Sequence, residues 1–582
     1  MGAMSRDGVA DGPAQRVLVQ HERLIRWQIA GERAGFALKV LTALAGITLA
    51  VVLGALAWSA SKARGLVVEE FTVPPAMAER GLDGRAVAGL FLDKLAQLQA
   101  DTDSGRAPQS YANNWGDDLS VEIANTGVSV GEIQKVLRGW LGNEQRMSGG
   151  VSSQDGMLSV VVRTGAAPIE PASGPETALD AILQAAAERV YEQTQPYRYS
   201  AYLARKAHAV PPGEEQAALR AKQQVILQRL TASPDRTDRI WAYNGLAVTS
   251  GTPALLGRRY LNAALAIDPD HAYVVSNLYT LERSLGHDEV ACYLARRAVA
   301  LTARPPADVN PAIAATLVTQ HASRVAACQG DFAAADQASS ETATAVAINN
   351  RERTAVAARA VARAAGHDPE GAAQMLTDSG YPGDAVLLRE TGNVTIAQAN
   401  IALERGDWVK ARVLLLAADT AAAGSDLALV PEFRRTVIAP RLAYATARVG
   451  DLTTARAIIA ATPSDCHGCV IERARIAELA GARVEADRWF AQAVRLGPSL
   501  PFAQDAWAKA AFARGDLAGA IRLAKAAHAK GPKFADPLKT WGDALMAQGK
   551  TREAARRYDQ ALALAPAWAD LRRAHAAARR AS

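Results

Sequence analysis

The sequence predicts a mainly α protein: an α-α solenoid of stacked helical hairpins, preceded by one transmembrane helix and a small α+β domain. Three observations carry this prediction. Residues 40–58 contain no charged side chain. From about 66 to 163, β-branched runs alternate with helical apolar spacing. Towards the C-terminus, Pro498, Pro532 and Pro566 recur every 34 residues, as do Gly481, Gly515 and Gly549. A chain of 582 residues exceeds one ordinary core, so several domains are expected. The domains read as a cytoplasmic segment 1–35, a membrane helix 36–60, an α+β domain 61–168, a helical connector 175–235 and a repeat array 236–582.

The uncharged run VLTALAGITLAVVLGALAW (40–58) spans about 28 Å as a helix, close to the hydrocarbon thickness of a bilayer. Phe36 and Trp58 suit the two interfaces, and Lys39 can snorkel. A cleaved signal peptide fits less well, because a long segment precedes the run. Arg23, Arg26, Arg33 and Lys39 lie before it, and Lys62 and Arg64 after it. That bias points to a cytoplasmic N-terminus, with the bulk of the chain periplasmic in a Gram-negative inner membrane. Gly46, Ala50 and Gly54 share one helix face, which permits a homodimer contact through the anchor; the other reading is chance in an Ala/Gly-rich segment. Residues 15–33 read either as a basic amphipathic helix on the membrane or as an extension of the anchor helix.

In the next segment, LVVEEFTV (66–73) reads as a strand. Residues 84–99 read as a helix with Val87, Leu90, Phe91, Leu95 and Leu98 inward. The stretch TDSGRAPQSYANNWGDD reads as a loop. A strand at 119–124 and a helix at 130–141 follow. Strands near 145–152 and 157–163 are joined by Gln154-Asp155-Gly156, a hairpin signal. Gly127-Val128-Ser129-Val130-Gly131 fits the nucleophile elbow of serine hydrolases. Ser129 is also followed by Glu132 ahead of an apolar helical run, which is a capping box. The segment holds no His to complete a triad, so Ser129 is read as a helix cap.

From about 178 the strand signals cease. Helices are expected over 178–207 and 214–231, broken at Pro196 and Pro211-Pro212. The 34-residue spacing extends to Ala486, Ala520 and Ala554 and to Ala493, Ala527 and Ala561. The last unit (537–566) carries Gly542, Gly549, Ala554, Tyr558, Ala561 and Pro566. In these positions the chain resembles the tetratricopeptide repeat family. Trp241, Gly245, Ala264 and Pro269 extend the resemblance to 238–269, which departs from the pattern at Asn244 and Gly257. Between the two, Gly-Asp pairs recur at 330, 406, 450 and 515, with further turns expected at Gly286 and Gly366. Eight or nine hairpins are expected from 236 to 575.

The resemblance implies a concave face that binds a protein or peptide. It places Ile471, Arg475, Asp505, Lys509, Lys539 and Asp543 on that face, with Phe512 as an apolar anchor. The other reading of each is a solvated surface residue. The Asn residues that some members use to clamp a terminal carboxylate are missing from these units.

Cys466-His467-Gly468-Cys469 leaves three readings open: a disulfide, two ordinary helix-terminus cysteines, or part of a metal site. A c-type haem would need His at position 470, where Val470 stands. Phosphate-loop, zinc-protease, dinucleotide and EF-hand motifs are absent from the sequence. The net charge of +6 is a weak bias over this length, with no basic–aromatic stripe, so nucleic acid is not expected. No cofactor and no enzymatic activity are expected. The sequence reads best as a membrane-anchored scaffold or adaptor in an envelope complex. One alternative is a periplasmic sensor whose α+β domain binds a small ligand and signals through the anchor. A remoter one is an enzyme of unrecognised type.

Overall fold

The computed structural model describes residues 65–113, 145–164, 167–345, 350–381, 392–425 and 429–581, with isolated helical positions between 43 and 54. Most of the uncharged run 40–58, the strand expected at 119–124, Ser129 with Glu132, and the helix expected at 130–141 lie outside the described residues. No helix among the described residues is long and apolar enough to cross a membrane. The chain divides into two compact units. One holds the sheet, with residues up to Leu98 and Gln109–Val190; the other holds Gln99–Pro108 and everything from Tyr191 on.

The sheet unit contains strands β1 (Gly65–Val68), β2 (Ser110–Asn113), β3 (Gln145–Gln154), β4 (Met157–Thr164), β5 (Ala167–Pro168) and β6 (Ala172–Pro175). Their order is β2-β1-β3-β4-β5, and β6 also pairs with β4. β1 runs parallel to both neighbours, and β3 and β4 form the antiparallel hairpin. Its turn has positive φ at both Asp155 (51°) and Gly156 (75°), the geometry that a two-residue Asp-Gly loop favours. Leu158, Val160 and Val162 alternate inward along β4, as a half-buried strand requires. The helix Gly84–Ala100 buries Val87, Ala88, Phe91, Leu95 and Leu98. Leu90, expected inward, is exposed, and Ala88 takes the buried position instead. Phe71 lies 5.3 Å from Phe91 and presses on Gly149, where a Cβ would come within 2.5 Å of its ring.

The helical unit is an array of helical hairpins. After helices Pro196–Ala209 and Glu214–Leu230, hairpins occupy 236–267, 272–302, 311–345, 350–378, 392–423, 430–460, 467–496, 502–530 and 535–564 among the described residues, and helix Ala569–Arg580 ends it. The recurring Gly-Asp pairs have a mechanical cause. Gly330, Gly406, Gly450 and Gly515 all have positive φ and reverse the chain. The Asp that follows each accepts a hydrogen bond from the backbone N–H three residues on, at 2.8–3.2 Å, and so caps the second helix. Ala486, Ala493, Ala520, Ala527, Ala554 and Ala561 are fully buried. Gly542 makes room for Tyr558, whose ring a Cβ would meet at 2.5 Å.

The array also touches itself over long separations. The Gly286 carbonyl accepts from His467 N at 2.9 Å, Thr436 Oγ1 donates to Ser284 O at 2.7 Å, and Glu289 accepts from Ser499 N at 3.0 Å. Phe332 meets Phe534 edge-on. Turns of earlier hairpins therefore rest on helix starts of later ones.

Candidate functional site

The first helices of the hairpins supply most of a line of ionised groups. On helix Phe502–Ala513, Lys509 Nζ lies 2.8 Å from Asp505 Oδ2, one turn before it. It also lies 2.5 Å from Asp536 Oδ1, on the next hairpin. Asp536 Oδ2 receives His367 Nε2 at 2.9 Å, from a turn 169 residues earlier. The His367 ring stacks flat on Trp568 at 3.4 Å, and its Nδ1 lies 3.4 Å from Glu404. His367 has φ 62°, so the left-handed residue of this turn is His367 and not Gly366. A non-glycine residue holds that conformation only when its surroundings over-determine it, and the contacts to Asp536, Trp568 and Glu404 do so here.

The charges follow from this geometry. Burial alone would lower the pKa of His367, but Asp536 and Glu404 outweigh it and raise it to about 9. Burial likewise opposes the charge on Lys509, and Asp505 and Asp536 overcome it, leaving its pKa raised. Asp536 faces two cations and is held below the usual carboxylate range despite its burial. Asp505 has its pKa raised, first by burial and then by Asp536, against the pull of Lys509. Its Oδ1 is buried with no hydrogen-bond partner among the described residues.

The remaining sequence-predicted residues fall around this line. Arg475 pairs with Glu472 at 3.0 Å and lies 5.4 Å over the Tyr444 ring. Lys539 pairs with Asp543 at 2.7 Å and lies 5.7 Å over Trp568, and Tyr558 OH donates to Asp543 at 2.9 Å. Phe512 is partly buried, packed against Ala511, Ala520 and Ala544 between helices. Lys509 and Arg475 interact through Asp505, whereas Lys539 and Asp543 form a pair of their own.

Sequence reasoning missed the other end of the line. Arg283 pairs with Asp288 at 3.1 Å. The guanidinium of Arg324 lies 4.3 Å over Tyr279, one helical turn before Arg283, and 3.4 Å from His321 Nδ1. Arg441 donates to Val437 O at 2.8 Å, on a helix that Thr436 ties to Ser284. Burial, then Arg283, pulls Arg324 and Arg441 below the ordinary arginine value. Both stay charged, since guanidinium does not lose its proton in proteins. Neither forms a carboxylate ion pair among the described residues. Burial, helped by Arg324, holds His321 neutral with a pKa of about 3. The one sequence cue was Tyr279 four residues before Arg283, and nothing in the repeat pattern ties Arg324 or Arg441 to it.

Cys466 and Cys469 are bonded to each other, with Cα atoms 5.2 Å apart, and both are fully buried. Cys466 caps helix His467–Leu479, and a Cβ on Gly286 would lie 2.5 Å from its sulfur. A second disulfide joins Cys292 to Cys328, so it fastens helix Asp288–Thr302 to helix Pro311–Cys328. The sequence reading did not anticipate this pair.

No protein-family model matches the chain, and no curated protein does. Among solved structures it is similar to a tetratricopeptide repeat protein from Parabacteroides merdae, with 13% identity over 45% of this chain and 98% of that one, TM-score 0.29. It is also similar to Cut9 with Hcn1 of the APC/C, with 12% identity, 68% and 86% coverage and TM-score 0.31. A third is yeast Tom70, with 12% identity, 66% and 96% coverage and TM-score 0.29. No residue's role follows from likenesses of this size.

Proposed function

We propose that the chain is a membrane-anchored scaffold that holds an acidic segment of a protein partner on the inner face of its hairpins. The observation that carries this reading is the unequal charge along the ionised line. Around Lys509 each cation has its carboxylate. Around Tyr279 three guanidinium groups, Arg283, Arg324 and Arg441, gather; Asp288 is ion-paired to Arg283, and Glu472, which Arg441 also feels, is already ion-paired to Arg475. Arg283 remains 47% exposed and Lys509 42%, so water reaches the line and a ligand can replace it. Guanidinium forks suit carboxylate acceptors, and a hydrogen bond to a charged group contributes about 1.5–3 kcal/mol.

The test is a titration of the full chain with a fluorescent Glu/Asp-rich peptide. Binding should weaken with salt. Arg324→Ala with Arg441→Ala should weaken it by about tenfold or more, with the helical signal unchanged. Equal affinity of wild type and double variant would place the partner elsewhere.

The anchor in this reading is the uncharged run 40–58. Leu44, Ile47 and Val51 within it are helical and exposed, which suits side chains meant for lipid. The basic flank favours hairpins outside the cytoplasm, bound to a cell membrane, and the small-residue face at Gly46, Ala50 and Gly54 supports pairing of two anchors. A reporter that works only outside the cytoplasm, fused after Ser582, should be active. Activity of a cytoplasm-only reporter there would invert the topology.

A further inference from the structure

Residues 101–108, DTDSGRAP, fold with the helical unit, although the chain before and after them folds with the sheet. They lie as an extended strap. Arg106 bridges Val309 in antiparallel fashion, Ala107 N donates to Asp308 O at 2.7 Å, and Asn310 N donates to Gly105 O at 2.8 Å. Arg198, itself buried, donates to the carbonyls of Arg106 and Gln99 at 2.6 and 3.3 Å. Tyr191 OH meets Thr102 Oγ1 at 3.1 Å. The Arg106 side chain ends on Asp238 at 2.7 Å.

Beneath the strap is an aromatic floor. Trp241 lies 5.1 Å from both Tyr197 and Tyr273, and its indole N–H donates to Asp308 at 2.6 Å, fixing the loop that the strap pairs with. Gly105 sits against Tyr273 so closely that a Cβ would come within 2.3 Å of the ring. The groove therefore reads a glycine by contact, the next residue by charge and the backbone by pairing.

The strap offers no large apolar side chain in return. Its hold includes hydrogen bonds, each contributing about 0.5–1.5 kcal/mol net, and two ion pairs, Arg106 with Asp238 and the more exposed Asp101 with Arg205. Such a segment binds weakly on its own. What keeps it seated is its covalent tether, which supplies an effective concentration on the order of millimolar.

We propose that the groove built from Tyr197, Arg198, Asp238, Trp241, Tyr273 and the 308–310 edge is a peptide-binding site for an extended small–Gly–Arg segment, and that the chain's own strap 101–108 is its reversibly held occupant. This goes beyond the acidic-partner reading and uses different residues. The Glu/Asp-peptide titration reports on Arg324 and Arg441, so either proposal can fail while the other stands.

The test uses a labelled peptide of residues 99–110, QADTDSGRAPQS, and the full chain. Wild type, with its groove filled, should bind it at least tenfold more weakly than a Gly105→Val chain, whose own strap no longer fits against Tyr273. Adding Asp238→Arg to Gly105→Val should abolish that binding, and so should Arg106→Glu in the peptide. If Gly105→Val loses its helical signal, Arg106→Glu in the chain serves instead, because it repels Asp238 without adding bulk. The proposal is overturned if a folded strap variant fails to bind the peptide, if wild type binds it equally well, or if Asp238→Arg makes no difference. It is overturned too if both strap variants unfold, since the strap would then be a structural element and not an exchangeable occupant.

Discussion

The hairpins over 467–564 and those over 272–378 are built alike and held differently. The later ones are held by their neighbours: a buried Ala every 34 residues and the Gly542–Tyr558 contact bring each helix close to the next. That is nearest-neighbour stability, in which each interface repeats the last. The earlier ones also hold residues 152 to 210 positions further along, and each turn does so by its own chemistry. Gly286 receives a backbone N–H beside a disulfide, Asp331 and Phe332 meet Lys533 and Phe534, and His367 stacks on Trp568. A repeated interface is set by residue size at a fixed period. A closure between distant turns has no period.

The largest effect expected from breaking this contrast is at the repeated interface. Ala554 is fully buried between helices Ala535–Ala547 and Thr551–Leu564. Ala554→Glu places an unpaired carboxylate there, at a cost of several kcal/mol. The last hairpins should unfold and become open to protease, while 272–378 keeps its helical signal. A variant that melts with wild type would show that 535–564 is held by something other than its neighbours.

The next effect belongs to the long-range closure, and it depends on pH. The His367 pKa is about 9 in the fold against 6.5 for the free side chain. A raised pKa contributes stability that is complete below the unfolded value and is lost as pH rises through the folded one. Wild type should therefore lose roughly 2–3 kcal/mol between about pH 6.5 and pH 9.5. On the acid side, the lowered Asp536 pKa contributes stability that is present above about 3.9 and is lost as pH falls below it. His367→Asn keeps a residue that tolerates positive φ but removes the charge, so its alkaline slope should vanish. Denaturant titrations at two pH values decide it. Equal slopes in wild type and variant would mean that His367 is not charged in the fold.

These two regions also explain what the sequence could reveal. The hairpins, their Gly-Asp turns and the β3–β4 turn were legible because each depends on a local rule: a positive φ, a cap or a small residue at fixed spacing. Lys509 and Arg475 were placed on one face by the same register, but the register could not show that Asp536 is shared with His367. Arg283, Arg324 and Arg441 come from three hairpins and meet only in space. The stretch TDSGRAPQSYANNWGDD was legible as a loop only in its first part, because Ser110–Asn113 pairs with β1 as strand β2, a partner the local pattern does not show. That its first part would leave the sheet unit depends on Asp238 and Tyr273, more than a hundred residues away in the sequence.

The smallest effect compares one motif in both settings. Asp516 caps helix Leu517–Lys530 through Gly519 N at 2.8 Å. Asp331 caps its helix through Ala334 N at 3.2 Å and also reaches Lys533 at 3.3 Å across the long-range contact. Asp516→Ala should cost about 1 kcal/mol, the ordinary value of a cap. Asp331→Ala should cost only a few tenths more, because Lys533 is largely exposed and such pairs contribute about 0–1 kcal/mol. Salt should shrink that difference and leave the cost of Asp516→Ala unchanged. In a double-mutant cycle, Lys533→Ala should cost less when Asp331 is already Ala, and the difference is the ion pair itself. A coupling energy well above 1 kcal/mol would mean that the closure near Gly330 rests on this ion pair. A coupling near zero would leave it to Phe332 against Phe534.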